Sequence, residues 1–245
     1  MKLPLLLIAL ILSNKLLAQT KECRSIDRNK DLVERYYALQ ADTQIKEGRY
    51  VAYTFFSDRI ICKGFYKNNL KDSTWNYYSW GRNLADSGSY HKDKKNGVWY
   101  AFKDDGQIQL AYDFTNKKLI SYNRNPQDTG YVYKIVTDSG YTLSPLERPP
   151  IYLDGDVMLK NTIGINIRYP QQARESNIQG KVIVGFIINT DGHISDYKII
   201  KPVPGLNEAA TEAVKHASGD WLPGLQKGKP VAVEYIIPVT FSLAK

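Results

Sequence analysis

The sequence predicts an α+β protein with two parts: an N-terminal extended sheet of repeated β-hairpins and a small C-terminal αββαβ domain of two layers. The 245 residues include 18 Tyr and 4 Trp, and aromatic side chains favour pleated sheets. Aromatic residues recur at a fixed spacing in the first half, whereas helical and alternating apolar patterns follow one another near the C-terminus. This length suits one or two domains.

The first 18 residues have the pattern of a signal peptide. Lys2 precedes an apolar run from Leu3 to Leu12, and Ala18 supplies a small residue for cleavage. Such a run covers about 15 Å as a helix, about half the thickness of a bilayer core. We therefore expect export with residues 1–18 removed. The alternative is that this segment stays as a short anchor in the inner membrane.

Export would expose Cys23 and Cys62 to an oxidising compartment, where a disulfide can form. A bridge between them would stabilise the fold by roughly 4 kcal/mol, because it closes a long loop. Two unpaired thiols are the alternative. The sequence leaves both open, since it does not show whether the two residues are close.

A repeat occupies residues 48–122, after a polar segment (residues 19–47) with one weak helical stretch from Asp31 to Gln40. Gly64 and Trp75 recur as Gly88 and Trp99, a shift of 24 residues in both cases (88 − 64 and 99 − 75). Charged turns separate these aromatic stretches, which is typical of hairpins. Because a lone hairpin cannot bury its aromatic face, the hairpins should stack into an extended sheet. The units resemble MORN-type repeats, which implies a scaffold or a binding surface.

Residues 123–150 are expected to connect the two parts, with one strand near residues 131–136 and a boundary at Pro149 and Pro150. The last domain, residues 151–245, shows periodic patterns of both kinds, and Asn207 is placed to cap its second helix. Its predicted elements are a helix from Pro170 to about Asn177, strands Val182–Ile188 and His193–Lys201, a helix from Asn207 to Ala217, and a strand from Val231 to Leu243.

Landmarks in this domain resemble the C-terminal domain of TonB-type energy transducers. They are Tyr169-Pro170, Gly180-Lys181-Val182, Asp191-Gly192, Leu206 to Ala210, Trp221 with Pro223-Gly224, Gly228 to Val231, and Pro238 with Phe241. The resemblance implies a periplasmic domain that binds an outer-membrane TonB-dependent receptor, or a similar exported protein, by strand pairing.

Pro238 lacks a backbone donor, so its position predicts that the last strand lies at a sheet edge or carries a bulge. An edge strand offers main-chain groups to an extended peptide. The resemblance implies that this strand receives the receptor and that the segment before the first helix contacts it. The partner-binding residues implied in this way are Asn166, Arg168, Tyr169, Val231, Val233, Glu234, Tyr235, Ile236, Ile237 and Val239.

Energy transducers of this family carry a full-length membrane helix and a Pro-rich spacer, and neither pattern occurs in this sequence. We therefore expect receptor binding, with energy coupling lost or supplied by another protein. An inner-membrane proton-motor complex and a second copy of the chain are further candidate partners. The alternative function is an exported interaction scaffold that binds through the aromatic repeats, with Tyr90 and Trp99 at its surface.

Catalysis and nucleic-acid binding have little support. The net charge of +8 is spread thinly, without the basic run typical of nucleic-acid binding. His91, His193 and His216 lack metal-ligand spacing and are expected on the surface. No nucleophile elbow or glycine-rich phosphate loop is present in the sequence. We therefore predict no catalytic residue, no metal site and no cofactor.

Overall fold

The computed structural model describes residues 19–80, 82–124, 130–217 and 219–243. The chain divides into two compact units between Ser121 and Tyr122. Within the described ranges, no helix has the length and apolar character needed to span a membrane. The predicted signal peptide, residues 1–18, lies outside the described residues.

The first unit is one nine-stranded sheet in which the strands follow their order in the chain. The predicted repeat region supplies the strands from the third to the ninth, and the sheet already begins at Thr20. The strands are β1 (Thr20–Asp27), β2 (Leu32–Leu39), β3 (Lys46–Tyr53), β4 (Ile60–Lys67), β5 (Leu70–Tyr78), β6 (Leu84–His91), β7 (Lys94–Phe102), β8 (Ile108–Asp113) and β9 (Lys118–Tyr122), with a 3-10 turn at Arg28–Lys30.

The helical stretch expected from Asp31 to Gln40 is wrong, because these residues form β2. This strand pairs with β1 on one side and β3 on the other. Its branched and aromatic side chains fit a pleated surface, and Val33 and Ala38 are buried. The hydrogen bonds that β2 makes with a strand on each side outweigh the weakly helical spacing of its apolar residues.

The core of the first unit is a row of contacting aromatic rings on one face of the sheet, which we call the aromatic ladder. Trp75 and Trp99 are both 0% exposed, and their indole N–H groups donate to the carbonyl oxygens of Phe65 and Ser89 at 3.0 Å. Each indole lies flat on a glycine, where any Cβ would collide with the ring. The members of the ladder are Tyr50, Tyr66, Trp75, Tyr77, Tyr90, Trp99 and Phe114.

Lysine side chains cover the ladder. The ammonium of Lys71 lies 4.6 Å from the Trp75 ring centre, and that of Lys95 lies 4.1 Å from the Trp99 ring centre. Their apolar stems exclude water while the charges contact the ring faces. Burial raises the pKa of Tyr66 to about 12. The aromatic ladder is therefore a buried core, even though it lies on one face of a single sheet.

Both cysteines are free thiols, so the alternative of two unpaired cysteines describes this chain. Cys23 lies on β1 and Cys62 on β4, with two strands between them. At about 4.8 Å per strand, their Cα atoms are separated by roughly 14 Å, well beyond the approximately 7 Å limit for a disulfide. Burial raises the pKa of the Cys62 thiol to about 11.

The second unit combines one five-stranded sheet, two short two-stranded sheets and three helices. The large sheet has the order β11-β10-β18-β13-β14, and the short ones are β12-β15 and β16-β17. The strands are β10 (Val132–Thr137), β11 (Gly140–Pro145), β12 (Ile151–Tyr152), β13 (Gly180–Ile188), β14 (Ile194–Lys201), β15 (Trp221–Leu222), β16 (Gly224–Gln226), β17 (Lys229–Val231) and β18 (Val233–Phe241); the helices are α1 (Gly155–Asn166), α2 (Gln171–Glu175) and α3 (Asn207–Lys215).

Helix α3 lies on β13 and β14, and α1 lies against α3. The helix meets the sheet through Ala210 and Ala213, which are fully buried and small enough for a close approach. Trp221 fills the end of this core, 5.9 Å from the ring of Phe186 and 5.1 Å from that of Tyr235. The order α2, β13, β14, α3, β18 is the predicted order of helix, two strands, helix and strand.

Four features of the second unit differ from the predictions. The stretch expected as a connector forms the β10–β11 hairpin of the main sheet, and α1 is an additional helix. The last strand is interrupted at Ala232, whose carbonyl accepts from the Val136 N–H at 2.9 Å. Asn207 does not cap α3: Leu206 is the N-cap, and Asn207 Oδ1 accepts from the Val203 N–H at 2.8 Å.

Candidate partner-binding edge

Strand β18 is the centre of the candidate site. It pairs with β13 along its whole length, from Val233 opposite Ile188 to Phe241 opposite Gly180, without a register shift. Its side chains alternate, so that Ile237 and Val239 are buried while Ile236 is 44% exposed. The proline in this strand is therefore not at a bulge, which was one of the two predicted explanations for it.

The other side of β18 is covered only at its beginning. Strand β10 pairs with it at two positions, Lys134 with Glu234 and Ile135 with Val233. In the described part of the chain, no strand pairs with Ile236–Phe241 on this side. The edge predicted from Pro238 therefore exists, but it is shorter than the predicted one.

Backbone alternation shows which residues face this edge. The Ala232 carbonyl is directed toward β10, because it accepts from Val136 there. Backbone groups in an antiparallel strand alternate between its two sides, so the even-numbered positions Ile236, Pro238 and Thr240 point the same way. The missing N–H of Pro238 thus falls on the open side, where it costs the sheet no hydrogen bond.

The implied partner-binding residues of the last strand fall into three groups. Val231 lies in β17, opposite Gly224, and Val233 and Glu234 already pair with β10, so these three residues are not part of the open stretch of β18. The main-chain groups of Tyr235, Ile237 and Val239 are directed toward β13. The backbone groups of Ile236 point to the open side. The backbone groups of Pro238 and Thr240, which were not in the predicted set, point to the same side.

A charged network holds the β10–β11 hairpin in place. Glu234 Oε2 lies 2.8 Å from the ammonium groups of both Lys134 and Lys198, and its side chain is only 10% exposed. Lys198 reaches it from β14 across Gly185, which offers no side chain in the way. Desolvation alone would raise the pKa of Glu234, but the two lysines outweigh it, and this pKa is lowered.

The implied contact segment before α2 lies near the far end of β18. The Tyr169 ring packs edge-on against Phe241, the last residue of that strand, at 5.5 Å, and its hydroxyl donates to the Ile178 carbonyl. Asn166 and Arg168 cap the end of α1 through carbonyls of that helix. Together with the start of α3, these three residues line a groove of about 690 Å³. This segment therefore lies beside the C-terminal end of β18.

The aromatic repeats do not offer the surface expected by the scaffold alternative. Trp99 is fully buried, and Tyr90 packs edge-on against it at 4.9 Å. Tyr90 is only partly buried, but a partner would have to displace Trp99 from the core to reach it. The repeat motif detected in the sequence is therefore a packing motif.

The three histidines are exposed, as predicted, and lie in three different parts of the sequence. His91 lies 3.5 Å from Asp72, and His193 lies 3.4 Å from Asp191. Among the described residues, no group of three potential ligands is placed to hold a metal ion.

Comparison with known proteins decides the family of the last part of the chain. Residues 165–243 match the family model described as Gram-negative bacterial TonB protein C-terminal. These residues are thus similar to a TonB C-terminal domain. The TonB resemblance of the landmarks is thereby confirmed, whereas the MORN resemblance of residues 48–122 stays a prediction.

The curated relatives are the proteins named TonB from two Helicobacter pylori strains, J99 and 26695. Each is 36% identical over 87 residues, which is 35% of this chain and 29% of the relative. The chain thus spans less than a third of these relatives. A solution structure of the Helicobacter pylori TonB C-terminal domain has 33% sequence identity to this chain. The match covers 36% of this chain and 78% of the chain in that structure, with a TM-score of 0.29. The family assignment rests on the sequence match.

The TonB match begins within α1, so the β10–β11 hairpin precedes it. This hairpin is the element that covers the start of β18. No landmark of the family in the sequence indicated this covering, because the landmarks all follow residue 165. The amino-acid composition of the hairpin predicts a strand there, but it does not indicate which other strand it pairs with.

Proposed function

We propose that the TonB C-terminal domain captures an extended segment of an outer-membrane transporter by strand pairing and thereby serves energy transduction in transmembrane transport. The observation that carries the proposal is the open side of β18 from Ile236 to Phe241. A segment placed there would extend the five-stranded sheet by one strand. The docking site is thus Ile236, Pro238 and Thr240, with the groove at Asn166, Arg168 and Tyr169 beside its far end.

The main chain can supply five hydrogen bonds to such a segment: two N–H donors, from Ile236 and Thr240, and the carbonyls of these residues and of Pro238. At about 1 kcal/mol each, they contribute on the order of 5 kcal/mol, which alone corresponds to a dissociation constant near 0.2 mM. Side-chain contacts must add to this for tighter capture. The 690 Å³ groove at the end of the strand is the nearest place for them.

The first test uses substitutions that change one backbone donor. Ile236→Pro removes an N–H that β13 does not use, so the domain should fold while peptide affinity falls about tenfold, the effect of losing one hydrogen bond and fitting the ring. Ile236→Ala is the matched control, because it shortens the same side chain and keeps the N–H. Isothermal titration with a synthetic N-terminal peptide of an outer-membrane transporter measures both.

Pro238→Ala provides the converse variant, since it adds a donor on the open side. We expect it to bind the peptide several times more tightly than the wild type. If Ile236→Pro and Pro238→Ala both bind like the wild type, the peptide does not pair with this edge and the proposal is wrong. Circular dichroism checks that each variant is folded.

A second copy of the chain could occupy the same edge, and this competing arrangement has a simple signature. Sedimentation of the purified protein would show a dimer that Ile236→Pro dissociates, and transporter peptide would compete with it. A monomer that binds peptide supports capture of the transporter. A dimer that excludes peptide would contradict it.

Export to the periplasm and the supply of energy belong to the same proposal. The domain must meet the transporter on the periplasmic side, and a proton-motor complex of the inner membrane is the partner that would drive it. Sequencing the N-terminus of the protein recovered from cells distinguishes the two forms of this proposal. A start at Gln19 means that residues 3–18 are not the anchor and that coupling requires another protein.

A further inference from the structure

The first sheet carries a groove of about 470 Å³ on the face opposite the aromatic ladder. Side chains alternate along a strand, so Lys63 and Phe65 point away from the side on which Gly64 supports Trp75. The groove crosses the strands from β1 to β5, and its lining includes three cations and two aromatic rings: Arg35, Arg49, Lys63, Tyr37 and Phe65. This face is independent of the edge of β18.

Strand register concentrates positive charge on this face. Arg24 is directly opposite Arg35, Arg35 is opposite Val51, and Val51 is opposite Lys63. These four residues form one row across four strands, and Arg49 lies two residues from Val51 on the same face. Like charges directly opposite each other in a sheet are destabilising. The row therefore works against the stability of the sheet.

Among the residues that line the groove, cations outnumber carboxylates. Arg24, Arg35, Arg49 and Lys63 are all exposed, and in the described ranges none of them forms a salt bridge. The lysines of the opposite face differ, since Lys46 pairs with Glu34 and Lys95 with Asp86. Among the described lining residues of the groove, Glu22 is the only carboxylate. The lining of the groove is therefore net positive, with Arg35, Arg49 and Lys63 against Glu22.

We propose that this groove binds an acidic, extended polypeptide segment of a partner protein. Arg35 lies over the Tyr53 ring at 5.3 Å and Lys63 over the Tyr78 ring at 5.4 Å, so two of these cations also contact the sheet. The directly opposed pair of Arg24 and Arg35 still costs stability, and a costly local arrangement is typical of a functional surface. The planar guanidinium groups of Arg35 and Arg49 match carboxylates in a two-pronged geometry. The Phe65 ring, 43% exposed and directly opposite Arg49, offers apolar contact beside these charges. A concave groove across several strands admits a chain, whereas a flat bilayer surface would not reach its floor.

The test measures binding of a labelled ten-residue peptide of alternating Glu and Ser to the purified full chain by fluorescence anisotropy. Arg49→Glu should weaken binding about tenfold or more, because it replaces an attractive charge by a repulsive one. Lys118→Glu, on the last strand of the sheet and outside the groove, makes the same change of net charge and should have little effect. Affinity should fall steadily with added salt.

A second variant tests the charge row through stability. Arg24→Gln removes one of two opposed arginines, so the midpoint of thermal unfolding should rise by about 1 °C or more. A fall in the midpoint would show that Arg24 stabilises the sheet and would contradict the argument from unbalanced charge.

Several outcomes would overturn the proposal: no binding of the acidic peptide, equal binding of its Gln-containing counterpart, or equal loss in Lys118→Glu. Binding to vesicles of anionic phospholipid without binding to the peptide would also overturn it, in favour of a membrane surface. Transporter peptide binding at β18 serves as the independent reference. It should be the same in Arg49→Glu and in the wild type, so failure of either proposal can be recognised separately.

Discussion

The two units of this chain bury their cores in different ways. The first packs rings from one face of a single sheet onto its own glycines and under its own lysines, and its two ladder tryptophans are fully buried without any helix in the described part of the unit. The second covers one face of its sheet with α1 and α3, through Ala210 and Ala213. One core is built within a layer, and the other is built between two layers.

The two units also differ in how far apart in the sequence their contacting residues lie. In the first unit, Trp75 lies on Gly64, which is 75 − 64 = 11 residues away. In the second, Lys134 pairs with Glu234, which is 234 − 134 = 100 residues away. A core of near neighbours tolerates independent changes along its length, as in repeat proteins. A core of distant neighbours requires the whole domain to be in place, which suits a domain that must keep one edge open.

The largest expected effect is that of Gly88→Ala. The added Cβ would collide with the ring of Trp99, so the indole must leave its place on the sheet. Overpacking of this kind should lower the free energy of unfolding by about 3 kcal/mol. Urea denaturation measures the loss, and hydrogen exchange should locate it in β5 to β8, with β1 least affected.

Ser89→Ala is the matched control for Gly88→Ala, because it lies beside the glycine and adds no volume. Its free energy of unfolding should stay within about 0.5 kcal/mol of the wild type. Exchange that rises equally in all nine strands would contradict the local character of the aromatic ladder.

A smaller effect is expected for Ala213→Leu in the second unit. This fully buried alanine lies where α3 meets the sheet, and the larger side chain would push the helix outward. We expect a loss of about 2 kcal/mol, with faster hydrogen exchange in all five strands of the sheet at once. Ala209→Leu, on the less buried side of the same helix, is the control. Faster exchange confined to β14 would contradict the view that this core responds as a whole.

Sequence reasoning succeeded where structure depends on near neighbours. The shift of 24 residues between Gly64 and Gly88 identified the hairpin repeat, because each glycine and its tryptophan are close in sequence. The same reasoning failed at β1 and β2, which lack that motif. Strand β2 joins the sheet by pairing with β3, and β1 by pairing with β2, contacts that local spacing does not reveal.

The candidate edge was predicted only in part, for the same reason. Pro238 marked the open side of β18 correctly, because a missing donor is a property of one residue. The covering of Val233 and Glu234 was not predicted, because it depends on β10, a hundred residues earlier. The charge row of the first sheet was also hidden, since Arg24, Arg35 and Lys63 become neighbours only through strand register.

The smallest effect, and the one that links the core of the second unit to its open edge, concerns Glu234→Gln. This substitution removes the charge that holds Lys134 and Lys198, so the free energy of unfolding should fall by about 1 kcal/mol at pH 7. The amide of Val136, which bonds to Ala232, should exchange faster, because β10 loses its clamp.

The pH dependence of that difference gives the sharper test. The pKa of Glu234 in the folded protein lies below its usual value of 4.5, so its contribution is complete above that value and is lost as the pH falls through the folded pKa. The wild type and Glu234→Gln should therefore differ in urea denaturation at pH 7 and converge at acidic pH, below the folded pKa. A difference that persists there would assign the effect to packing and not to charge. In that case the hairpin would be held by its two backbone pairs alone, and the open edge of β18 would not change with the ionisation of Glu234.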